Sequence, residues 1–190
     1  MLPPHVAVGA ACAMEVPPSV VLLVLAFVAT CCAVDITTRR IPNFLSVPVI
    51  LGGVLLNAMR FGAPGFVSSL LGVLLVVAFL IAPFSFGGIG GGDVKMMAGV
   101  GALVGPYLAL ASLGMGMAIG GVMMVVHLAR LGRLRDKLDA TARMIWTALT
   151  TLSFAPLRVP AADTSAAVTL PYSVPLGLGT MTILGLALRG

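Results

Sequence analysis

Two aspartates, Asp35 and Asp93, stand where long apolar runs of the sequence meet short polar stretches. A carboxylate beside hydrocarbon is costly, roughly 2.5–3.5 kcal/mol at the centre of a bilayer and less near its edge, so each is a candidate functional residue. Two carboxyl groups brought close together cannot both ionise, and the pair shares a proton. One can then take a proton from water while the other donates to an amide carbonyl. No serine, cysteine or histidine triad competes for this role.

The segment before Asp93 is rich in glycine. Residues 83–95 read PFSFGGIGGGDVK and contain five glycines. Glycine permits left-handed conformations and close approach of another backbone, so Gly90, Gly91 and Gly92 are predicted to let an extended substrate reach the carboxylates, even as an added strand. A plain flexible connector is the alternative. A phosphate-binding loop is excluded, because no Gly-Lys-Ser/Thr follows the glycines.

The charged residues of these stretches also have structural explanations. Asp35 could form a helix-end salt bridge with Arg39, four residues further on. Asp93 could cap the N-terminus of the following helix, where aspartate is favoured, and capping would not prevent catalysis. Lys95 could anchor its helix at lipid phosphates or tune the two carboxylates electrostatically, and we favour the second slightly.

Composition places the chain in the membrane. Of its 190 residues 59% are hydrophobic and 9% charged, with a mean hydropathy of +1.14, whereas about a quarter of the residues in a soluble domain are charged. The net charge of +5 does not indicate nucleic-acid binding, since the basic residues fall between apolar runs. The three cysteines form no CxxC pair, so neither a zinc site nor a disulfide framework is indicated. No metal or cofactor is predicted.

The apolar runs predict an all-α membrane protein, a bundle of about six transmembrane helices with a cytoplasmic amphipathic segment. Residues 1–17 are predicted to be an extracytoplasmic N-terminal segment, and residues 18–190 form the membrane domain. Leucines at three- and four-residue steps in residues 130–170 indicate an amphipathic helix on the membrane surface, or alternatively a solvated loop helix. The predicted spans are 18–35, 44–59, 66–82, 94–104, 107–129 and 171–188.

Small residues four apart recur in these spans, and such pairs let membrane helices approach closely. The alternative is that they are ordinary small residues facing lipid. The pairs are Ser68 and Gly72, Gly101 and Gly105, and Gly116 and Gly120.

The distribution of basic residues predicts the orientation. With six spans, both aspartates and residues 130–170 fall on one side of the membrane, and this side holds nine of the eleven basic residues. It is therefore predicted to be the cytoplasmic side, with both termini outside. The nine are Arg39, Arg40, Lys95, Arg130, Arg133, Arg135, Lys137, Arg143 and Arg158, against Arg60 and Arg189 outside.

The two aspartate stretches resemble the motifs of a known family. Residues 35–43, DITTRRIPN, look like its first-aspartate motif, and residues 90–95, GGGDVK, look like its GxGD motif. Together they resemble the type IV prepilin peptidases, membrane aspartyl proteases of bacteria with archaeal relatives. Residues 170–175, LPYSVP, are similar to the segment that opens the last helix in the short Tad/Flp-pilus branch. The resemblance covers roughly residues 18–188.

The resemblance implies that Asp35 and Asp93 are the catalytic pair. The motif residues around them would support the site or contact substrate: Arg40, Pro42, Asn43, Gly90, Gly91, Gly92 and Lys95. The implied partner is a prepilin or pseudopilin whose short basic leader is cut at the cytoplasmic face of the bacterial inner membrane, typically after a glycine. Larger relatives also methylate the new N-terminus and carry a cytoplasmic insertion with paired CxxC motifs. This chain has no such insertion and no such cysteines, so peptidase activity without methylation is predicted.

Two other classes of protein stay open on the sequence. A small proton-coupled transporter would also use membrane aspartates and broken helices, although both acids are predicted at one face and not near the midplane. A non-catalytic protein of pilus assembly would need neither carboxylate for its function.

Overall fold

The computed structural model describes residues 16–38, 41–85, 89–132, 139 and 172–189. These residues form five helices and no strand, which confirms the predicted all-α class. Four of the helices are long and apolar enough to cross a membrane, and the fifth is a shorter apolar helix, so the chain is a multi-pass membrane protein. The helices are α1 (Pro18–Thr38), α2 (Asn43–Phe61), α3 (Ala63–Ser85), α4 (Gly91–Arg130) and α5 (Ser173–Ala187).

The predicted count of six helices is not confirmed. The fourth and fifth predicted spans correspond to the two halves of α4, residues 91–104 and 106–130, which are joined across a kink with non-helical backbone at Gly105. Gly105 has a φ of 78°, a left-handed value that glycine adopts without strain, and Pro106 follows it with no N–H to donate. The turn predicted at Gly105 and Pro106 is therefore present as a kink between the two halves of α4. The helix also begins earlier than predicted, at Gly91 and not at Val94.

A buried asparagine compensates for the break in α4. Pro106 cannot donate to the carbonyl of Ala102, which loses its partner in the helical ladder. Asn57 of α2 is 2% exposed, and its Nδ2 donates to the carbonyl oxygens of Ala102 at 3.0 Å and Leu103 at 3.1 Å. It also contacts the Ser69 hydroxyl at 2.9 Å. One side chain therefore joins α2, α3 and the first half of α4.

Glycines set the closest helix contacts. A Cβ atom at Gly72 would lie 2.3 Å from the carbonyl oxygen of Gly101, and one at Gly179 would lie 2.3 Å from the backbone nitrogen of Gly116. The α3–α4 and α4–α5 pairs can approach this closely only because these positions lack side chains. Close packing at Gly72, Gly101 and Gly116, predicted from the spacing of small residues, is confirmed.

The break at Gly105 also redirects the chain. A straight helix would separate Asp93 from Gly116 by about 35 Å, at roughly 1.5 Å per residue. Gly116 instead packs against the first turns of α5, where Gly177 lies against Cys32 of α1. Cys32 is in turn close enough to Asp93 for the two groups to interact electrostatically. Residues 106–130 therefore return towards the end of the bundle where α4 began.

Two predicted segments lie largely outside the described residues. These are the N-terminal segment 1–17, of which only Val16 and Pro17 are described, and the cytoplasmic segment 130–170, of which residues 130–132 and 139 are described.

Candidate functional site

Asp35 lies in the last turn of α1 and is partly buried. Its Oδ2 accepts a hydrogen bond of 2.7 Å from the hydroxyl of Ser173, the first residue of α5. One turn earlier, Cys32 donates from Sγ to the backbone oxygen of the same serine at 3.1 Å. Residues three apart lie on the same face of a helix, so this face of α1 holds Ser173 at two points. Arg39, the alternative partner for Asp35, lies outside the described residues.

Asp93 lies in the first turn of α4 and is 5% exposed. The alternative role of Asp93 as the N-cap is wrong, because Gly90 is the N-cap and Asp93 is the third helical residue. The Asp93 carboxylate receives a hydrogen bond from the backbone of Gly90, as the acidic residue of a capping box does. Within the described part of the chain, Asp93 Oδ1 is buried with no hydrogen-bond partner.

The fold brings the two predicted aspartates together. Asp35 and Asp93 are close enough for their charges to interact, although 58 positions separate them in sequence. The Cys32 thiol interacts electrostatically with both carboxylates. The Asp35 carboxyl group is partly exposed and accepts a hydrogen bond from Ser173, whereas the Asp93 carboxyl group is almost fully buried. Such a pair can take up a proton at one member and deliver a proton from the other.

The three glycines before Asp93 have different surroundings. Gly90 is exposed, and a Cβ there would lie 3.4 Å from Asp93 Oδ2. Gly91 and Gly92 belong to the first turn of α4 and not to a loop, because the helix starts at Gly91. A Cβ at Gly92 would lie 3.1 Å from Cγ1 and 3.3 Å from the backbone nitrogen of Ile41. Gly92 therefore lets the segment before α2 pack directly on the turn that carries Asp93.

The remaining predicted site residues lie beside this contact. Pro42 is the N-cap of α2, with a φ of −70°. Asn43 is the first residue of α2, and its Oδ1 accepts a hydrogen bond of 2.7 Å from Lys95 Nζ. This bond connects the N-termini of α2 and α4. Lys95 therefore has a hydrogen-bond partner in the protein, whereas one of its two possible roles was to anchor the helix at lipid phosphates. Arg40 lies outside the described residues.

An apolar groove borders the site. It has a volume of about 660 Å³ and is lined by Thr30, Val34 and Thr38 of α1 and by residues 41–45. The hydroxyl of Thr30 donates to its own helix, to Ala26. Ile41 belongs both to this groove and to the contact with Gly92, so the groove reaches the turn that carries Asp93.

No group of three or more metal-ligating side chains occurs among the residues that the structure describes. The chemistry that two neighbouring carboxyl groups support is proton transfer to and from a molecule placed between them.

Ser173 is the site residue that sequence reasoning missed. It is fully buried and contacts Asp35 from 138 positions away. The signal available in the sequence was a serine beside two prolines at the start of an apolar helix, where a polar residue needs a partner. Nothing in the spacing indicated that this partner would be Asp35.

An all-helical membrane bundle with two carboxyl groups converging at one end defines a membrane protein with an acid–base site. A model of the type IV leader peptidase family matches residues 22–125, more than half of the chain. The chain therefore belongs to the type IV leader peptidase family, a family of proteases. The matched range contains both aspartates and ends before Ser173. No curated protein and no solved structure matches the chain.

Proposed function

We propose that this protein is an aspartyl endopeptidase that removes the leader peptide of type IV prepilins, Flp-type pilins or pseudopilins. The observation that carries the proposal is the convergence of Asp35 and Asp93 at one end of the bundle. Membership of a leader peptidase family supports the reaction class. The proposal adds the aspartic mechanism and the substrate.

In the proposed reaction both carboxyl groups act on one water molecule and one peptide bond. The ionised carboxylate takes a proton from water, whose oxygen attacks the peptide carbonyl carbon. The protonated carboxyl group donates to the carbonyl oxygen, which would otherwise carry a negative charge. The site needs no covalent intermediate. Gly90 leaves the side of Asp93 open, because a glycine carries no side chain that would block an extended peptide.

We further propose that the site faces the cytoplasm at the inner membrane of a bacterium. The support is the distribution of basic residues, nine of which fall on the side of the two aspartates when six spans are counted. Cysteine labelling of intact cells tests this orientation. Labelling of positions 35 and 93 from opposite sides of the membrane would contradict both the orientation and the shared site.

The decisive experiment is cleavage in detergent. Purified protein is mixed with a panel of prepilin leader peptides, and the shortened product is identified by mass. Asp35→Asn and Asp93→Asn each replace an ionisable group by a neutral one of the same shape, so each is expected to abolish cleavage. Asp139→Asn makes the same change at an exposed residue and serves as the matched control.

Each outcome decides between classes of protein. Cleavage by both aspartate variants would refute the aspartic mechanism. Pilus assembly that survives both substitutions in cells would favour a non-catalytic assembly protein. A proton flux in reconstituted vesicles, lost in the same two variants without any peptide cleavage, would favour a transporter.

A further inference from the structure

The two carboxyl groups of the site have unequal hydrogen-bonding surroundings. Asp35 is partly buried and accepts a 2.7 Å hydrogen bond from a side-chain hydroxyl. Asp93 is 5% exposed, and its Oδ1 has no hydrogen-bond partner among the described residues. In a pair that shares one proton, such a difference decides which member holds it.

We propose that Ser173 is a positioning residue that keeps Asp35 as the ionised member of the pair and leaves the proton on Asp93. The inference rests on the proposed peptidase function and deepens it, because it assigns the general base and the general acid. Ser173 acts through Asp35 and does not itself touch the reacting atoms.

The serine is held in place from two directions. It is fully buried, and it begins α5 immediately after Tyr172, which is the N-cap. Cys32 donates to its backbone oxygen at 3.1 Å, which fixes the backbone from which the hydroxyl reaches Asp35. A donated hydrogen bond stabilises a carboxylate more than a carboxylic acid. The geometry therefore favours the ionised form at Asp35.

The surroundings of Asp93 favour the opposite form. An ionised carboxylate at 5% exposure would leave one charged oxygen buried without a donor, and an unpaired buried charge is strongly unfavourable. The nearby charge of Asp35 adds repulsion. The single backbone hydrogen bond from Gly90 offsets this only in part. Of the other titratable groups, the thiols of Cys31 and Cys32 on α1 interact electrostatically with the pair. Lys95 of α4 donates to Asn43 Oδ1, and Tyr172 directly precedes Ser173.

The assignment gives a balanced reaction. Water gives a proton to Asp35 as its oxygen bonds to the peptide carbonyl carbon, and Asp93 gives its proton to the carbonyl oxygen. When the carbon–nitrogen bond breaks, the leaving nitrogen takes the proton from Asp35. A hydroxyl of the tetrahedral intermediate then returns a proton to Asp93. The pair ends as it began, with Asp35 ionised and Asp93 protonated.

The test compares two variants that each remove one buried hydroxyl from α5. Ser173→Ala removes the donor to Asp35. Thr180→Val removes a hydroxyl that is equally buried but donates to its own helix, to Leu176 at 2.9 Å. The pH dependence of kcat/KM is measured for both variants and for the unaltered protein. The substrate is a prepilin peptide that the unaltered protein cleaves.

For Ser173→Ala we expect the acid limb of the pH profile to move to higher pH by about one to two units, the shift that loss of one hydrogen bond to a charged group produces. The direction follows because Ser173→Ala removes the hydrogen bond that stabilises the carboxylate form of Asp35. Thr180→Val is expected to keep the original profile, since a loss of packing alone moves no titration. An unshifted acid limb in Ser173→Ala, with Asp35→Asn still inactive, would overturn the inference and leave the proposed function standing.

Infrared spectroscopy tests the same inference without catalysis. The C=O stretch of a protonated carboxyl group is recorded at neutral pH for the resting protein and for Asp35→Asn and Asp93→Asn. We expect the band to disappear in Asp93→Asn and to persist in Asp35→Asn. The reverse pattern would overturn the assignment even if no prepilin is cleaved.

Discussion

Replacing Gly72 by alanine should weaken the contact between α3 and α4. A Cβ at this position would lie 2.3 Å from the carbonyl oxygen of Gly101 and 2.9 Å from its carbonyl carbon, whereas ordinary contacts begin at 3.4 Å. Both atoms belong to the backbone and cannot rotate away, so the helices must separate by about 1 Å. Overpacking of this kind costs roughly 1–3 kcal/mol.

Gly52→Ala is the matched control. Gly52 lies inside α2 and has nothing within 4 Å of its Cβ position. Both variants gain the helix propensity of alanine over glycine, about 1 kcal/mol, so the difference between them reports the contact alone. The measurement is equilibrium unfolding in mixed detergent micelles with increasing denaturing detergent. We expect Gly72→Ala to be less stable than Gly52→Ala by about 1–3 kcal/mol, and equal stability would refute the close crossing at Gly101.

Three further predictions follow from other contacts. Asn57→Ala should lower the free energy of unfolding by about 1–2 kcal/mol, measured in the same micelles, because two backbone carbonyls of α4 lose their donor. Gly92→Val should reduce cleavage about 100-fold and leave the helical content unchanged. The added methyl groups would push the first turn of α4 away from Ile41 and displace the Asp93 carboxylate. The control is Gly121→Val, which has open space at its Cβ position and should cleave normally. Cleavage should also fall at strongly alkaline pH, where the carboxyl pair loses its shared proton, and a rate that stays flat into strong alkali would contradict a shared proton.

The sequence predicted those features that depend on local composition. Apolar runs predicted α1, α2 and α3 to within three residues at each end, because a helix in lipid needs an unbroken apolar stretch. The same reasoning placed a break at Gly105, where glycine and proline occur together. It also placed the start of the next span at Tyr107, directly after the break, and residues 106–130 are helical.

The candidate site was predictable in its chemistry and not in its contacts. Asp35 and Asp93 were identified because a carboxylate next to an apolar run has a high free-energy cost, which indicates a functional role. Their hydrogen-bond partners were not identified, because Ser173 and the backbone of Gly90 depend on how α5 and the first turn of α4 dock. The glycines were assigned to a substrate loop, whereas Gly92 allows close packing on Ile41, a role that depends on a neighbour 51 positions away.

The helices that begin at the carboxylate end are short for a bilayer. Helix α5 has 15 residues and is about 22 Å long, and residues 91–104 of α4 span about 21 Å, against a hydrocarbon core of roughly 30 Å. The bilayer next to helices of this length must become thinner to match them. We therefore expect the headgroup layer to dip beside Ser173 and Gly91. Such a depression would shorten the route by which solvent reaches the two carboxyl groups.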